Sequence, residues 1–126
     1  MNNNYEKFKG DIRRRAYVYA VKVIRFLNSR EERRVSTTVV TKQLVRSATS
    51  VGANIVEAQA GRTKRDFTNF LAYALKSANE SKFWLGLLRD TSKVEKNRVQ
   101  ELLTETDEIA RILAASVLTL KGKRQL

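Results

Sequence analysis

A chain of 126 residues, 42% hydrophobic and 30% charged, suits one folded domain with a real core and leaves no room for two. It holds neither Cys nor His, which excludes disulfides, thiolate metal sites, Cys nucleophiles, the usual general base and zinc ligand, and the Glu-x-x-His di-iron signature of some helical bundles. Lys and Arg number 25 against 13 Asp and Glu, a net charge of +12 that points to a polyanion partner, most simply RNA or DNA.

No apolar run approaches the ~20 residues of a membrane span, and the opening MNNNYEKFKG lacks the apolar core of a signal peptide. A cytoplasmic location without a membrane partner is therefore expected. Proline is absent, and helical periodicity runs through most of the chain. A first helix is predicted over about residues 8–29, with Ile12, Ala16, Ala20, Val23 and Leu27 inward and Arg14, Arg15, Lys22 and Arg25 outward. The polar stretch SREERRVS interrupts the pattern. A second helix starts near Ser36 or Thr37, both good N-cap residues, and runs to about residue 60. It turns Val40, Leu44, Ala48, Val51 and Ile55 inward. Gly61 then favours a left-handed helix end, and Thr63 with Asp66 resembles a capping box. The third helix spans about residues 64–90. Ser92 and Glu95 form the next capping box. The fourth helix covers about residues 93–121, with Val99, Leu102, Leu103, Ile109, Leu113, Val117 and Leu120 inward. Helices of similar length joined by short loops predict a single all-α domain, an antiparallel up-down-up-down four-helix bundle.

The third helix carries more apolar surface than a bundle uses. One heptad-spaced seam reads Phe67, Leu71, Ala74, Ala78, Ser81, Leu85 and Leu88; a second reads Phe70, Tyr73, Ser77, Glu80, Trp84 and Leu87. Bundle packing needs about three positions in seven. The excess predicts an oligomer interface built from Phe70, Tyr73, Phe83, Trp84 and Leu87. In the second helix the run SATSVGAN offers small side chains that let a neighbour approach, read as steric fit inside the bundle.

Glu57 and Glu80 are the carboxylates set in the central halves of the second and third helices. A carboxylate pair could do acid/base work. Nothing accompanies it, however: no His, no metal cluster, no Gly-rich phosphate loop, and GRTKRDF lacks the P-loop spacing. No catalytic residue, cofactor or metal is expected. A buried carboxylate needs a partner, so a structural polar network of Arg46, Asn54, Glu57, Ser77, Asn79 and Glu80 is predicted instead.

The basic residues fall mainly in residues 1–65, with 15 Lys/Arg against 5 Asp/Glu, whereas residues 66–126 hold 10 against 8. An up-down topology gathers Lys7, Lys9, Arg13, Arg62, Lys64, Arg65, Lys121, Lys123 and Arg124 at one end, predicted to bind nucleic acid through phosphates. The other end collects Arg30, Arg33, Arg34, Arg89, Lys93, Lys96 and Arg98, diluted by Glu31, Glu32, Asp90 and Glu95. No helix-turn-helix, ribonucleoprotein aromatic motif or zinc finger is present, so sequence-specific reading is not expected.

The segment LVRSATSVGANIVEAQAGRTKRDFTNFLAYALKSANESKFWLGLL resembles the four-helix-bundle proteins encoded in intervening sequences of bacterial 23S rRNA genes. Their R-S-x-x-S-[IV]-x-A-N-I-x-E motif corresponds to Arg46, Ser47, Ser50, Val51, Ala53, Asn54, Ile55 and Glu57. Their [ST]-K-x-[DE]-F-x-x-x-L-x-x-A-L-x-x-A-N-E motif corresponds to Thr63, Lys64, Asp66, Phe67, Leu71, Ala74, Leu75, Ala78, Asn79 and Glu80. Where many relatives have E-G-x-G, this chain has Glu57-Ala58-Gln59-Ala60-Gly61. The resemblance implies a ring-like homopentamer with no enzymatic activity. It also implies kinship with the accessory variability protein of diversity-generating retroelements, a basic pentamer that partners a reverse transcriptase. The expected function is a non-enzymatic, oligomeric nucleic-acid-binding scaffold; the alternative is a protein-interaction module serving a reverse transcriptase.

Overall fold

In the computed structural model the backbone is described for residues 3–30 and 34–125, and the side chains for residues 12–30 and 34–122. Among the described residues there are four α-helices and no strand: α1 (Asn3–Asn28), α2 (Val35–Ala60), α3 (Lys64–Thr91) and α4 (Lys96–Gln125). Each buries one stripe spaced by three and four residues, the spacing that keeps side chains on a single helix face. α1 buries Ile12, Ala16, Tyr19, Val23 and Phe26, and α2 buries Leu44, Ser47, Ala48, Val51, Ile55 and Ala58. α3 buries Thr68, Leu71, Ala74, Ala78, Ser81, Leu85 and Leu88, and α4 buries Val99, Leu102, Thr106, Ile109, Leu113 and Val117. Ala20, Leu27, Val40, Leu103 and Leu120, expected inward, are half-buried at the margins.

α1 and α3 each pack against α2 and α4, the arrangement of an all-α up-down-up-down four-helix bundle. The α2–α3 contact is the most extensive. Ser47 and Ala48 on one side and Ala74, Ala78 and Ser81 on the other are fully buried, and their small side chains let the two backbones close up.

Three helix ends differ from the sequence expectation. α2 is preceded by Arg34 rather than capped by Ser36 or Thr37. Thr37 is buried in the first turn instead, and Thr38 Oγ1 donates back to the Arg34 carbonyl at 3.0 Å. Gly61 is extended (φ −64°, ψ 144°) rather than left-handed. Ser92 closes α3 instead of opening α4, since its N–H and hydroxyl both donate to the Leu88 carbonyl, at 3.1 and 2.6 Å. α4 accordingly starts at Lys96. The Thr63 cap does form, with Oγ1 accepting from the Asp66 N–H at 3.0 Å.

Apolar burial supplies the stability, at roughly 1.5–3 kcal/mol for each large side chain taken fully from water. Register comes from a layer of hydroxyls near mid-height, one from each helix. Ser47 Oγ and Ser81 Oγ lie 2.8 Å apart, and Thr106 Oγ1 donates to Tyr19 Oη at 2.7 Å. The Ser81 hydroxyl also acts on the Tyr19 phenol, which joins the two pairs. All four residues are at most 1% exposed. Burial pushes the Tyr19 phenol above its ordinary value, against the pull of Thr106 and Ser81, so the ring stays neutral.

Glycine inside a helix costs roughly 0.5–1 kcal/mol relative to alanine. At Gly52 an added Cβ would meet Ala16 Cβ at 3.6 Å, an ordinary contact, so packing does not require the glycine. Gly52→Ala is therefore predicted to raise the unfolding free energy by about 0.5 kcal/mol. At Gly61 a Cβ would come within 3.2 Å of both the Ala58 carbonyl oxygen and Asp66 Cβ, and Gly61→Ala is predicted to lower it. Urea unfolding of the two variants checks both signs.

Candidate nucleic-acid interface

The turn between α2 and α3 is short because Gly61 passes close to the Ala58 carbonyl and Thr63 caps the next helix at once. Arg62, Lys64 and Arg65 are thereby displayed together, all exposed. Among the described residues no hydrogen bond or ion pair engages their side chains; the Lys64 carbonyl accepts from Thr68 Oγ1 at 2.8 Å. Arg13, from α1, reaches the same end and donates to Gln59 Oε1 at 3.4 Å. Lys121, near the end of α4, is exposed there too. The side chains of Lys7, Lys9, Lys123 and Arg124, assigned to this cluster by the sequence, lie outside the described residues.

Placing cations on the first turn of a helix opposes the macrodipole, whose N-terminal end is already positive. Asp66 offsets part of this on α3. A phosphate would offset the rest, since free N–H groups and positive side chains then converge on one anion.

At the opposite end the cations are more engaged. Arg89 forks onto Asp90 at 2.8 and 3.1 Å, and that contact first, with Lys96 nearby, holds the Asp90 carboxyl below its ordinary value. Arg98 lies over the Phe26 ring, 5.1 Å from its centroid, and Arg30 and Arg34 have interactions of their own. On the α1–α4 side Arg15 grips Glu105 at 2.6 and 3.2 Å and Glu108 at 3.1 Å. Lys82 and Arg111 share Asp107.

Of the six residues predicted to form a polar network, the structure brings two together. The Arg46 guanidinium meets Glu80 across the α2–α3 contact within one chain. Glu80 Oε2 also accepts from Trp84 Nε1 at 2.8 Å, and Arg46 Nε donates to Gln43 Oε1 at 2.9 Å. The Glu80 side chain is 35% exposed, so the pair sits at the bundle's edge rather than in its core. Glu57 and Asn79 are exposed; a carboxylate left in water needs no partner, so the expected answer of Glu57 to Glu80 does not arise. Asn54 Nδ2 turns back to the Ser50 carbonyl at 2.9 Å. Ser77 contributes its carbonyl to the Ser81 hydroxyl at 2.9 Å.

The five residues assigned to an oligomer interface divide. Phe70 and Trp84 pack half-buried against the core and Leu87 is half-buried, while Tyr73 and Phe83 are 50% and 59% exposed. A larger apolar opening lies between α1 and α2, a groove of about 760 Å³ lined by Tyr17, Val21, Ile24, Gly52, Ala53 and Val56. Its signal in the sequence was Tyr17, Val21 and Ile24 on the outward side of the first helix, beside the small-residue run of the second. No group of three or more acidic side chains is placed to hold a metal among the described residues, and no helix is long and apolar enough to cross a membrane.

Exposed ion pairs contribute about 0.2–1 kcal/mol. Glu80→Gln is thus predicted to cost no more than about 1 kcal/mol in urea unfolding. Glu80→Ala also frees the indole of the single Trp, read as a red shift of its emission.

The profile of the 23S rRNA-intervening sequence protein family matches residues 9–115. No curated protein matches the chain. A crystal structure of a protein with unknown function from the S23 ribosomal protein family of Bacteroides thetaiotaomicron is similar over 87% of this chain and 97% of that one. The two share 31% identity with a TM-score of 0.77. With four antiparallel helices and a match that covers both polar motifs, the chain belongs to the 23S rRNA-intervening sequence protein family.

Proposed function

We propose that the protein is a non-enzymatic scaffold that holds nucleic acid by its phosphates at the end of the bundle where α2 turns into α3. The observation that carries this reading is the set of exposed cations Arg62, Lys64 and Arg65, without partners among the described residues, on the positive end of α3. Carboxylates engage Arg15, Arg46, Lys82, Arg89 and Arg111, while Arg14, Lys22, Arg25 and Lys42 are exposed but scattered along α1 and α2; at this turn three such cations are adjacent. The family name refers to 23S rRNA, which makes RNA the first polyanion to test. The net charge of +12 supplies long-range attraction, and the local cluster supplies the seat.

The scaffold is oligomeric in this reading. A lone bundle leaves the α1–α2 groove, with Tyr17 71% exposed, open to water. A second copy would cover it, and repetition would close the cyclic homopentamer that the resemblance implies. Several copies of one basic end then act on one strand, which multiplies affinity without new contacts.

Phosphate contact without base reading predicts binding that is tolerant of sequence and steeply dependent on salt, with a slope of about −0.9 per contact on duplex. Neutralising Arg62, Lys64 and Arg65 together is expected to weaken binding uniformly across sequences and to reduce the slope by about two to three. Fluorescence anisotropy with RNA at several salt concentrations measures both. An unchanged slope in the triple variant would remove the cluster from the interface.

A further inference from the structure

The outer edge of α3 holds a second feature, continuous with the basic turn. Arg65, Asn69, Tyr73, Lys76, Glu80 and Phe83 follow one another at spacings of four, four, three, four and three, so they share one helix face. Every one of them but Glu80 is exposed. Single apolar side chains on a surface need no explanation, but two rings at 50% and 59% exposure on one stripe do.

Each exposed ring is held by a half-buried one. Phe70 meets Tyr73 edge to face at 5.8 Å and 86°, and Trp84 meets Phe83 at 5.0 Å and 75°. Trp84 is in turn anchored through its indole N–H to Glu80, which Arg46 grips. Tyr73 and Phe83 thus each rest against a half-buried ring while keeping about half their surface in water. Between them stands Lys76, exposed and without a partner among the described residues.

That lysine separates two explanations of the edge. A subunit contact across Tyr73 and Phe83 would desolvate Lys76, and protein interfaces are depleted in Lys for this reason. A nucleic-acid strand satisfies all three side chains at once, bases stacking on the rings while phosphates meet the ammonium. From Tyr73 to Phe83 is ten residues, about 15 Å of helix. That length accommodates about four nucleotides at the ~3.4 Å rise of a stacked strand. Bases inside a duplex have no free face, so the fit is to single strands.

We propose that Tyr73 and Phe83 form a base-stacking platform for single-stranded nucleic acid, with Lys76 between them and the Arg62–Arg65 turn at one end taking its phosphates. This rests on the nucleic-acid reading above and adds the strand class to it. Glu80 does not repel the strand, because Arg46 compensates its charge.

The test compares wild type with Tyr73→Leu, Phe83→Leu and Tyr73→Phe, using labelled oligouridylate and an RNA duplex of equal length, with light scattering on every sample. Leucine keeps the edge apolar and removes the ring. Each leucine variant is expected to lose about fivefold to a hundredfold in affinity for oligouridylate, while duplex affinity, salt slope and particle mass stay as in wild type. Tyr73→Phe should bind as wild type does. Unchanged oligouridylate affinity in both leucine variants, equal losses on strand and duplex, or a fall in particle mass overturns the platform, the last in favour of a second copy on this edge. Wild type that binds neither probe in a salt-sensitive way overturns the underlying reading as well.

Discussion

Four buried hydroxyls, one from each helix, fix how the bundle's elements are aligned along their axes. Seams of Ala, Leu, Val and Ile are nearly indifferent to sliding by a heptad, because one apolar contact replaces another. Hydroxyls are not indifferent: leaving one buried without a partner costs about 1–3 kcal/mol. A slip that parts the Tyr19 phenol from Thr106 incurs that cost, whereas Ser47, Ser81 and Thr106 also reach the Leu44, Ser77 and Leu102 carbonyls of their own helices and lose only the cross-helix contact. The surface follows from the same alignment. Arg46 and Glu80 are the immediate neighbours of Ser47 and Ser81, and their ion pair is the outward continuation of the buried contact. Glu105 precedes Thr106, and its grip by Arg15 continues the Tyr19–Thr106 contact in the same way. The α3 edge is thus positioned from inside the molecule.

Much of this was legible in the sequence. Leu44, Val51, Ile55, Leu71, Leu85, Ile109 and Leu113 announce their helix faces by spacing, because apolar burial is the dominant driving force of folding and leaves the clearest period. The placing of Arg13, Arg62, Lys64, Arg65 and Lys121 toward one end follows from the same pattern, since short loops force an antiparallel path. Polar positions were harder. Ser47 and Ser81 are visible only as small residues, and Tyr19 and Thr106 give no sign of their pairing, because a hydroxyl inside an apolar stripe reads the same whether it is bonded across helices or to its own turn. Glu57 and Glu80 mislead in the other direction. Glu80 stands well inside α3 and Glu57 in the last turn of α2, yet a carboxylate's cost depends on burial, and a single position on a face does not reveal how deep the edge of the bundle lies. The ends of α2 and α3 are ambiguous for a related reason: Ser36, Thr37 and Ser92 can cap either neighbouring element, and tertiary burial of Thr37 decides the first case.

The distribution of charge gives the surface its direction. Arg15, Lys82, Arg89 and Arg111 are engaged by carboxylates within the chain, and Arg98 is stacked on Phe26. Arg62, Lys64 and Arg65 are concentrated where a helix N-terminus already repels them, an arrangement that raises the energy of the free protein and lowers that of a complex with an anion. Selection for stability alone would not favour it. The same holds in milder form for Tyr73 and Phe83, which are kept half in water while their partners Phe70 and Trp84 are drawn toward the core.

A map of contacts would test this account most directly. Bromouridine-substituted single-stranded RNA, cross-linked by light to the full chain and digested for mass spectrometry, reports which peptides lie against the bases. The account predicts cross-links in the peptides that carry Tyr73 and Phe83, extending toward Arg62 and Arg65, and lost at high salt. Cross-links confined to α1 and α4, around Arg15, Lys22 and Arg111, would contradict it.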